Sequence, residues 1–324
     1  MLSNLNILIT GHRGYIGSAL TRYLQQQSVV NKVVGYDLVE GDDIMDLDKL
    51  TSVMKRENIT VVIHLAAQSS VTSCNDNPEL ANKINGTGTN NVLMAMKNSG
   101  CDNIIYASTS SVYGDRSNQQ YTEHDLPGPC SSYGSSKLLG ELAILNHYNK
   151  DGGGYLIYRM FNVVGTCGYK DIDNSLHPGY DRLFGALQSS KVIIYGQDYN
   201  TEDGTCQRDY ISLKDVCDAY LQGAIKLVNN NTIRQILNIC TGNPISVKKI
   251  ISTWNNCREK IFITKGRDPD SKYLPYVTFT IGERRLGDPA VVYGSNQQVK
   301  EVLNWQPVRK IDDIICDIAI DKTL

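Results

Sequence analysis

The chain has 324 residues, with 32 Lys and Arg against 34 Asp and Glu and a formal net charge of −2; it is long enough for a buried core in two lobes, and its mixed charges give no global field suited to nucleic acid or an anionic membrane, so any anion site must be local. No apolar run approaches the ~20 residues needed to span a bilayer. The nine cysteines, odd in number, without a C-x-x-C pair or a secretory leader, read as free thiols in a reducing compartment, and a cytoplasmic protein is expected.

From the N-terminus, short β-branched runs alternate with amphipathic segments of helical length. A strand is expected over Asn6 to Thr10, a helix from about Tyr15, and further strands over Lys32 to Tyr36, Thr60 to Leu65, Asn103 to Ala107 and Tyr155 to Tyr158. Strands apolar on both faces, with helices between them, imply an α/β fold whose doubly wound parallel sheet is covered on both sides. After about Gly165 the alternation weakens into a Gly-, Asp- and Tyr-rich stretch, Thr166 to Tyr180, that reads as loop. Beyond it come a strand at Val192 to Tyr195, helices near Lys214 to Val228 and Val247 to Cys257, and a strand at Gln235 to Ile239. The expected division is a Rossmann-type domain over 1–164 and a smaller C-terminal α/β lobe over 165–324, with about 208–240 packing back on the first domain.

Between the first strand and first helix stands Gly11-His-Arg-Gly14-Tyr15-Ile16-Gly17. Glycines here let backbone approach a pyrophosphate where the N-terminal N–H groups of a helix point. Asp37 ends the second strand about 20 residues on, where a carboxylate binds the ribose hydroxyls and repels a 2′-phosphate, favouring NAD over NADP. The Gly-x-x-Gly-x-x-Gly spacing resembles the short-chain dehydrogenase/reductase superfamily. By that resemblance Asp43 and Ile44 are an adenine-contacting pair, and Leu65-Ala66-Ala67-Gln68 is the loop beside the cofactor after the third strand.

Tyr133-Gly-Ser-Ser-Lys137 puts a phenol and an ammonium at i and i+4, on one helix face. A tyrosine with an ordinary pKa of about 10 is a poor base near neutrality unless positive charge stabilises its phenolate, which Lys137 and an oxidised nicotinamide can do. Lys137 can also hold the nicotinamide ribose. Thr109, at the end of the fourth strand, can bridge a sugar oxygen and the tyrosine. His12, His64, His124, His147 and His177 lack metal-ligand spacing with one another or with cysteine, so no metal centre is expected.

Further on, Arg159-Met-Phe161-Asn162, then Tyr195-Gly196 through Arg208-Asp209-Tyr210-Ile211, and Arg284-Arg285-Leu-Gly287-Asp288 resemble the UDP-galactose 4-epimerase family in order and spacing over nearly the whole chain. The resemblance implies that Asn162 binds the diphosphate or uridine arm, that Arg208 and Arg285 clamp the diphosphate, and that Asp288 holds the uridine ribose. Two arginines suit a diphosphate because each can form a bidentate, charge-assisted pair; the alternative is a local Arg208–Asp209 ion pair and a solvated Arg284-Arg285 turn. The family also implies that Val292, four residues beyond Asp288, lines the sugar pocket, where valine rather than tyrosine leaves room for an N-acetyl group. A UDP-sugar is the expected partner and a homodimer the expected assembly.

The chain departs from the family pattern in three places. Asp43 comes only six positions after Asp37, Lys83 stands where a cofactor-contacting asparagine is usual (Asn82 and Asn85 lie nearby), and Asn174, Leu176 and His177 only approximate the uridine segment.

Enzymes of this kind oxidise the sugar at C4 and diverge in the fate of the keto sugar. Related 4,6-dehydratases place Asp-Glu after the catalytic threonine, and related decarboxylases place a glutamate at the second position; this chain has Ser110-Ser111. Without that carboxylate, the simplest outcome is return of the hydride to the other face of the keto sugar, which is 4-epimerization. A 4-reductase that exchanges its cofactor, or a non-catalytic NAD-binding regulator on the same fold, is the alternative; a regulator is expected to lose the Tyr-Lys pair that this chain keeps.

Overall fold

The structure, a computed structural model, describes residues 5–116, 119–150, 152–169, 183–188, 191–265, 276–285 and 288–321. In chain order the strands are β1 (Leu5–Thr10), β2 (Val30–Tyr36), β3 (Val61–His64), β4 (Asn103–Thr109), β5 (Gly154–Met160), β6 (Asn162–Val164), β7 (Lys191–Tyr195), β8 (Gln207–Ser212), β9 (Arg234–Ile239), β10 (Pro244–Ser246), β11 (Thr278–Gly282) and β12 (Val291–Val292). The helices are α1 (Tyr15–Gln25), α2 (Leu47–Arg56), α3 (Val71–Asp76), α4 (Pro78–Asn82), α5 (Gly88–Ser99), α6 (Ser132–Lys150), α7 (Leu183–Gln188), α8 (Leu213–Asn229), α9 (Val247–Lys265), α10 (Gln297–Leu303) and α11 (Ile311–Asp321).

Side chains that alternate along each strand explain why the main sheet needs helices on both sides. Ile7 and Ile9 of β1, Ile63 of β3, Ile105 of β4 and Leu156 of β5 pack with α1 and α8. Leu8, Val62, Ile104 and Ile157 point the other way and pack with α2, α5 and α6. The sheet is six-stranded, in the order β2-β1-β3-β4-β5-β9, and every pair is parallel.

Two buried tyrosines lock the helices in place, one on each face. Tyr106 donates to the Lys137 carbonyl of α6 at 3.3 Å and Tyr158 to the Ala219 carbonyl of α8 at 2.9 Å. A Cβ on Gly140 would collide with the Tyr106 hydroxyl, and one on Gly223 with that of Tyr158. Only glycine at each position lets the helix ride that low on the sheet.

The remaining strands form smaller sheets, β10-β8-β12 with β6 also paired to β8, and β11-β7. Their core gathers Val192 and Ile194 of β7, Trp254 of α9 and Ile315 of α11. Although β9 comes late in the chain, it joins the main sheet beside β5, and α8 supplies core beneath that sheet. Of the loop expected over Thr166 to Tyr180, residues 170–180 lie outside the described residues, as do Asn174, Leu176 and His177.

Contrary to the expected set of free thiols, two of the cysteines are paired. Cys257 of α9 and Cys316 of α11 form a disulfide with Cα atoms 5.3 Å apart, while the other seven cysteines are free. The packing of these two helices in one core creates the pair, and a separation of 59 residues hides it in the sequence. Cysteine usage therefore no longer argues for a reducing compartment.

The chain leaves β1 for β2 on one side and then returns to place β3 on the other. Ligands of doubly wound sheets bind in the crevice beyond the carboxyl ends of the strands at such a switch point.

Candidate active site

A cleft of about 810 Å³ opens there, in the usual size range of ligand pockets. Its wall is built from the residues that follow successive strands: Gly11, Gly14, Tyr15, Ile16 and Gly17 after β1, Asp37, Asp43 and Ile44 after β2, and Leu65, Ala66, Ala67 and Gln68 after β3. Thr109, Tyr133, Lys137 and Asn162 complete the same wall. The fold thus brings together residues from Gly11 to Asn162 of the sequence.

The glycines have separable reasons. Gly11 has φ +74°, and a Cβ there would lie 2.7 Å from the Ala66 nitrogen; one on Gly17 would strike the Gly11 carbonyl. They let β1, α1 and the loop after β3 close on one another. Gly14 precedes α1 and offers no side-chain cap to it, so the helix begins at the cleft with N–H groups that no side chain caps, the kind of place where an anion can bind locally. This cradle fits a dinucleotide pyrophosphate. At the end of β2, the Asp37 carboxylate accepts the Arg13 N–H at 2.9 Å and the Val39 N–H at 3.1 Å.

Tyr133 and Lys137 stand on the first turns of α6. Burial pushes the Tyr133 phenol up to about 12, against the pull of its hydrogen bond with Thr109. Lys137 is only 2 % exposed, and its ammonium lies 4.1 Å from the centre of the Tyr106 ring. Burial pushes that ammonium down to about 7, against the upward pull of Glu141. Ser110 and Ser111 line the cleft beside Thr109, and the Thr109 hydroxyl accepts the Ser111 N–H at 3.2 Å.

Glu141, one turn beyond Lys137, is a residue that motif reading does not find. Its carboxylate takes the Arg159 guanidinium through Nε at 3.0 Å and Nη2 at 2.6 Å and accepts the hydroxyl of Ser108, the neighbour of Thr109. Arg159 also lies 4.7 Å from the centre of the Tyr113 ring, and the Tyr113 hydroxyl donates to Asn238 at 2.6 Å. The ends of β4 and β5 and the middle of α6 are thereby held together. Asn85 does the same for the loop after β3: it accepts the Gln68 N–H at 2.8 Å and donates to the Gln68 carbonyl at 3.0 Å and to Ser136 at 2.8 Å. An asparagine in a buried helical run is its only mark in the sequence.

Arg208, Arg285, Asp288 and Val292 are not in the cleft wall. Arg208 pairs with Asp288 and not with its neighbour Asp209, which the strand turns to the opposite side, where it caps Thr241 and Gly242 at 2.9 and 2.8 Å. Arg285 lies 3.9 Å from the centre of the Tyr195 ring, and Arg284 pairs with Asp198 at 2.7 Å, so the two arginines are not a free basic turn. Val292 pairs with Arg208 across β12 and β8 and packs against the cluster of Val112, Tyr113, Tyr121, Phe161 and Cys240.

Residues 7–240 match the NAD dependent epimerase/dehydratase family. The chain belongs to that family. It is 28% identical over 331 residues to the UDP-glucose 4-epimerase of Lactobacillus helveticus, covering 96% of this chain and 95% of that one. The NAD dependent epimerase/dehydratase fold is equally plain in solved structures. The UDP-glucose-4-epimerase of Stenotrophomonas maltophila, with bound NAD and formylated UDP-arabinopyranose, superposes with a TM-score of 0.84 at 26% identity, covering 99% of this chain and 98% of that one. The UDP-glucose 4-epimerase of Brucella ovis in complex with NAD gives 0.82 at 27% identity, covering 96% of each chain. NAD is the cofactor of this family member, whose fold is the Rossmann-type α/β fold expected from the sequence.

Proposed function

We propose that the protein interconverts the C4 epimers of a UDP-hexose with NAD held in the cleft. Residues 1–164 hold the dinucleotide and 165–324 mainly the UDP-sugar, with α8 and β9 returning to the first domain. The observation that carries this reading is the convergence of Thr109, Tyr133 and Lys137 on one wall of the cleft, with Ser110 and Ser111 beside them where elimination would need carboxylates.

Gly11, Gly14, Tyr15, Ile16 and Gly17 would hold the pyrophosphate, Asp37 the adenosine ribose, Asp43 and Ile44 the adenine, and Leu65 to Gln68 the inner part of the cofactor. Bound NAD supplies a two-electron acceptor that is regenerated in each cycle. Tyr133 takes the proton from the sugar O4 as C4 is oxidised and returns it to O4 after the keto sugar has turned over. Thr109 orients the phenol and the sugar oxygen. Lys137 contributes positive charge and holds a ribose.

Asn162, Arg208, Arg285 and Asp288 take the UDP moiety. Arg208 reaches the diphosphate by leaving Asp288, which is then free for the uridine ribose. Arg208→Ala and Arg285→Ala are each expected to weaken UDP-sugar binding by roughly 1.5–3 kcal/mol, the usual loss for a charge-assisted contact, with little change in retained NAD. Titration with UDP checks this, and unchanged affinity in both variants would contradict the clamp.

The substrate itself is read from Val292. It packs against a cluster that includes Phe161, and Phe161 lines the cleft, which supports a place for this valine at the sugar end. We assign UDP-N-acetylglucosamine and UDP-N-acetylgalactosamine as one substrate pair and UDP-glucose and UDP-galactose as the other. Val292→Tyr is expected to abolish use of the N-acetyl sugars, since overpacking costs roughly 1–3 kcal/mol even where surroundings yield, while plain hexoses still turn over. Wild-type protein that converts only UDP-glucose, or a tyrosine variant that handles both pairs as before, would refute the gate.

A further inference from the structure

The rim of the cleft at the end of β2 carries an arrangement for which the proposed reaction has no use. Arg13, between the first two fingerprint glycines, lines the cleft together with Asp37. Its guanidinium is turned onto Glu40, with Nη2 and Nε at 2.5 and 2.6 Å from the same carboxylate oxygen. The other oxygen of Glu40 lies 3.3 Å from His12 Nε2. Both consecutive basic residues of the fingerprint therefore converge on one carboxylate.

The position of Glu40 follows from the short link between Asp37 and Asp43. Asp37 caps a single 3-10 turn, Leu38–Glu40, by accepting the Val39 N–H, and Gly41 ends the turn with φ +81°. The carboxylate assigned to the adenosine ribose thus also nucleates the turn that presents Glu40. Arg13 has 59 % of its side chain exposed, and an arginine beside the ribose is the group by which dinucleotide folds accept a 2′-phosphate. Here that arginine is already engaged by two carboxylates, its guanidinium by Glu40 and its backbone N–H by Asp37.

We propose that Glu40 is a second determinant, beside Asp37, of the choice of NAD over NADP: by holding Arg13 it withholds the cation best placed to receive a 2′-phosphate. The proposal rests on the cleft being the dinucleotide site. An exposed ion pair is weak, so the selection comes from occupancy of Arg13 together with the negative charge of Glu40. Removing that charge frees a bidentate, charge-assisted partner for phosphate.

The test uses the full-length protein, stripped of resident dinucleotide on charcoal and re-equilibrated with an equimolar excess of NAD and NADP. After desalting, the retained dinucleotides are extracted with acid and resolved. Glu40→Gln preserves the turn and is expected to raise the retained NADP:NAD ratio by about tenfold or more, the scale of one charge-assisted contact. In Arg13→Gln/Glu40→Gln the ratio is expected to fall back towards the wild-type value. An unchanged ratio in Glu40→Gln overturns the proposal. So does a gain that persists in the double variant, because Arg13 would then have no part in it. Wild-type protein that retains neither dinucleotide would overturn the cleft assignment and the proposal with it, whereas retained NAD with an unchanged variant ratio overturns the role of Glu40 alone.

Discussion

Tyr133→Phe is expected to lower turnover by about 10²–10⁴-fold, the usual worth of one general acid/base group, while NAD content and UDP affinity stay close to wild type. The substitution deletes only the hydroxyl, so the half-buried ring keeps its place on α6. The loss follows from the electrostatics of the site. Burial pushes the phenol up to about 12, away from the phenolate that proton abstraction needs near neutrality. Positive charge favours the phenolate: Lys137, on the same helix face, contributes it when protonated, and the oxidised nicotinamide of bound NAD would add to it. Steady-state kinetics with UDP titration separates the two effects: loss of turnover with intact binding is the expected pattern, and wild-type turnover would rule out Tyr133 as the proton-transfer group.

The second large effect is structural. In Arg159→Met the Glu141 carboxylate, itself 1 % exposed, is left without its ion-pair partner inside the protein. Breaking a buried pair in this way costs about 3–5 kcal/mol, whereas replacing both members by apolar groups is often neutral or stabilising. A denaturant titration is expected to show a stability loss of that size for Arg159→Met and recovery of most of it in Glu141→Leu/Arg159→Met. The double variant is still expected to turn over more slowly than wild type, because the pull that Glu141 exerts on the Lys137 ammonium is gone. A single variant as stable as wild type would show that the pair is not the anchor of the strand ends.

Local spacing in the sequence carries some of these features and not others. That Tyr133 and Lys137 share one wall of the cleft is legible because four residues is about one helical turn, and the placing of Gly11, Gly14 and Gly17 because a tight strand-to-helix link constrains neighbouring positions. The main sheet is legible for the same local reason: Ile7, Leu8 and Ile9 show by their uniform apolarity that both faces are covered. Arg159 and Glu141 meet only because α6 lies across the strand ends, and nothing in either segment names the other. The partner of Arg208 is Asp288, 80 residues away, because successive side chains of a strand face opposite ways and carry Asp209 out of reach. Stacking of Arg285 on Tyr195 and the bond between Cys257 and Cys316 likewise depend on how the smaller lobe packs, which local spacing does not encode. Glu40 belongs to this group too, since the short turn after Asp37 is visible in the sequence but its meeting with Arg13 is not.

An epimerase that restores its cofactor in each cycle needs no added dinucleotide. The most direct test is to incubate the purified protein with UDP-glucose, and separately with UDP-N-acetylglucosamine, without added dinucleotide, and to resolve the nucleotide sugars formed. The corresponding 4-epimers are expected to accumulate towards equilibrium, and acid extraction of the same protein is expected to release NAD. Absence of any epimer, with no dinucleotide released and an absolute need for added NADPH before a UDP-sugar is consumed, would contradict 4-epimerization with retained NAD.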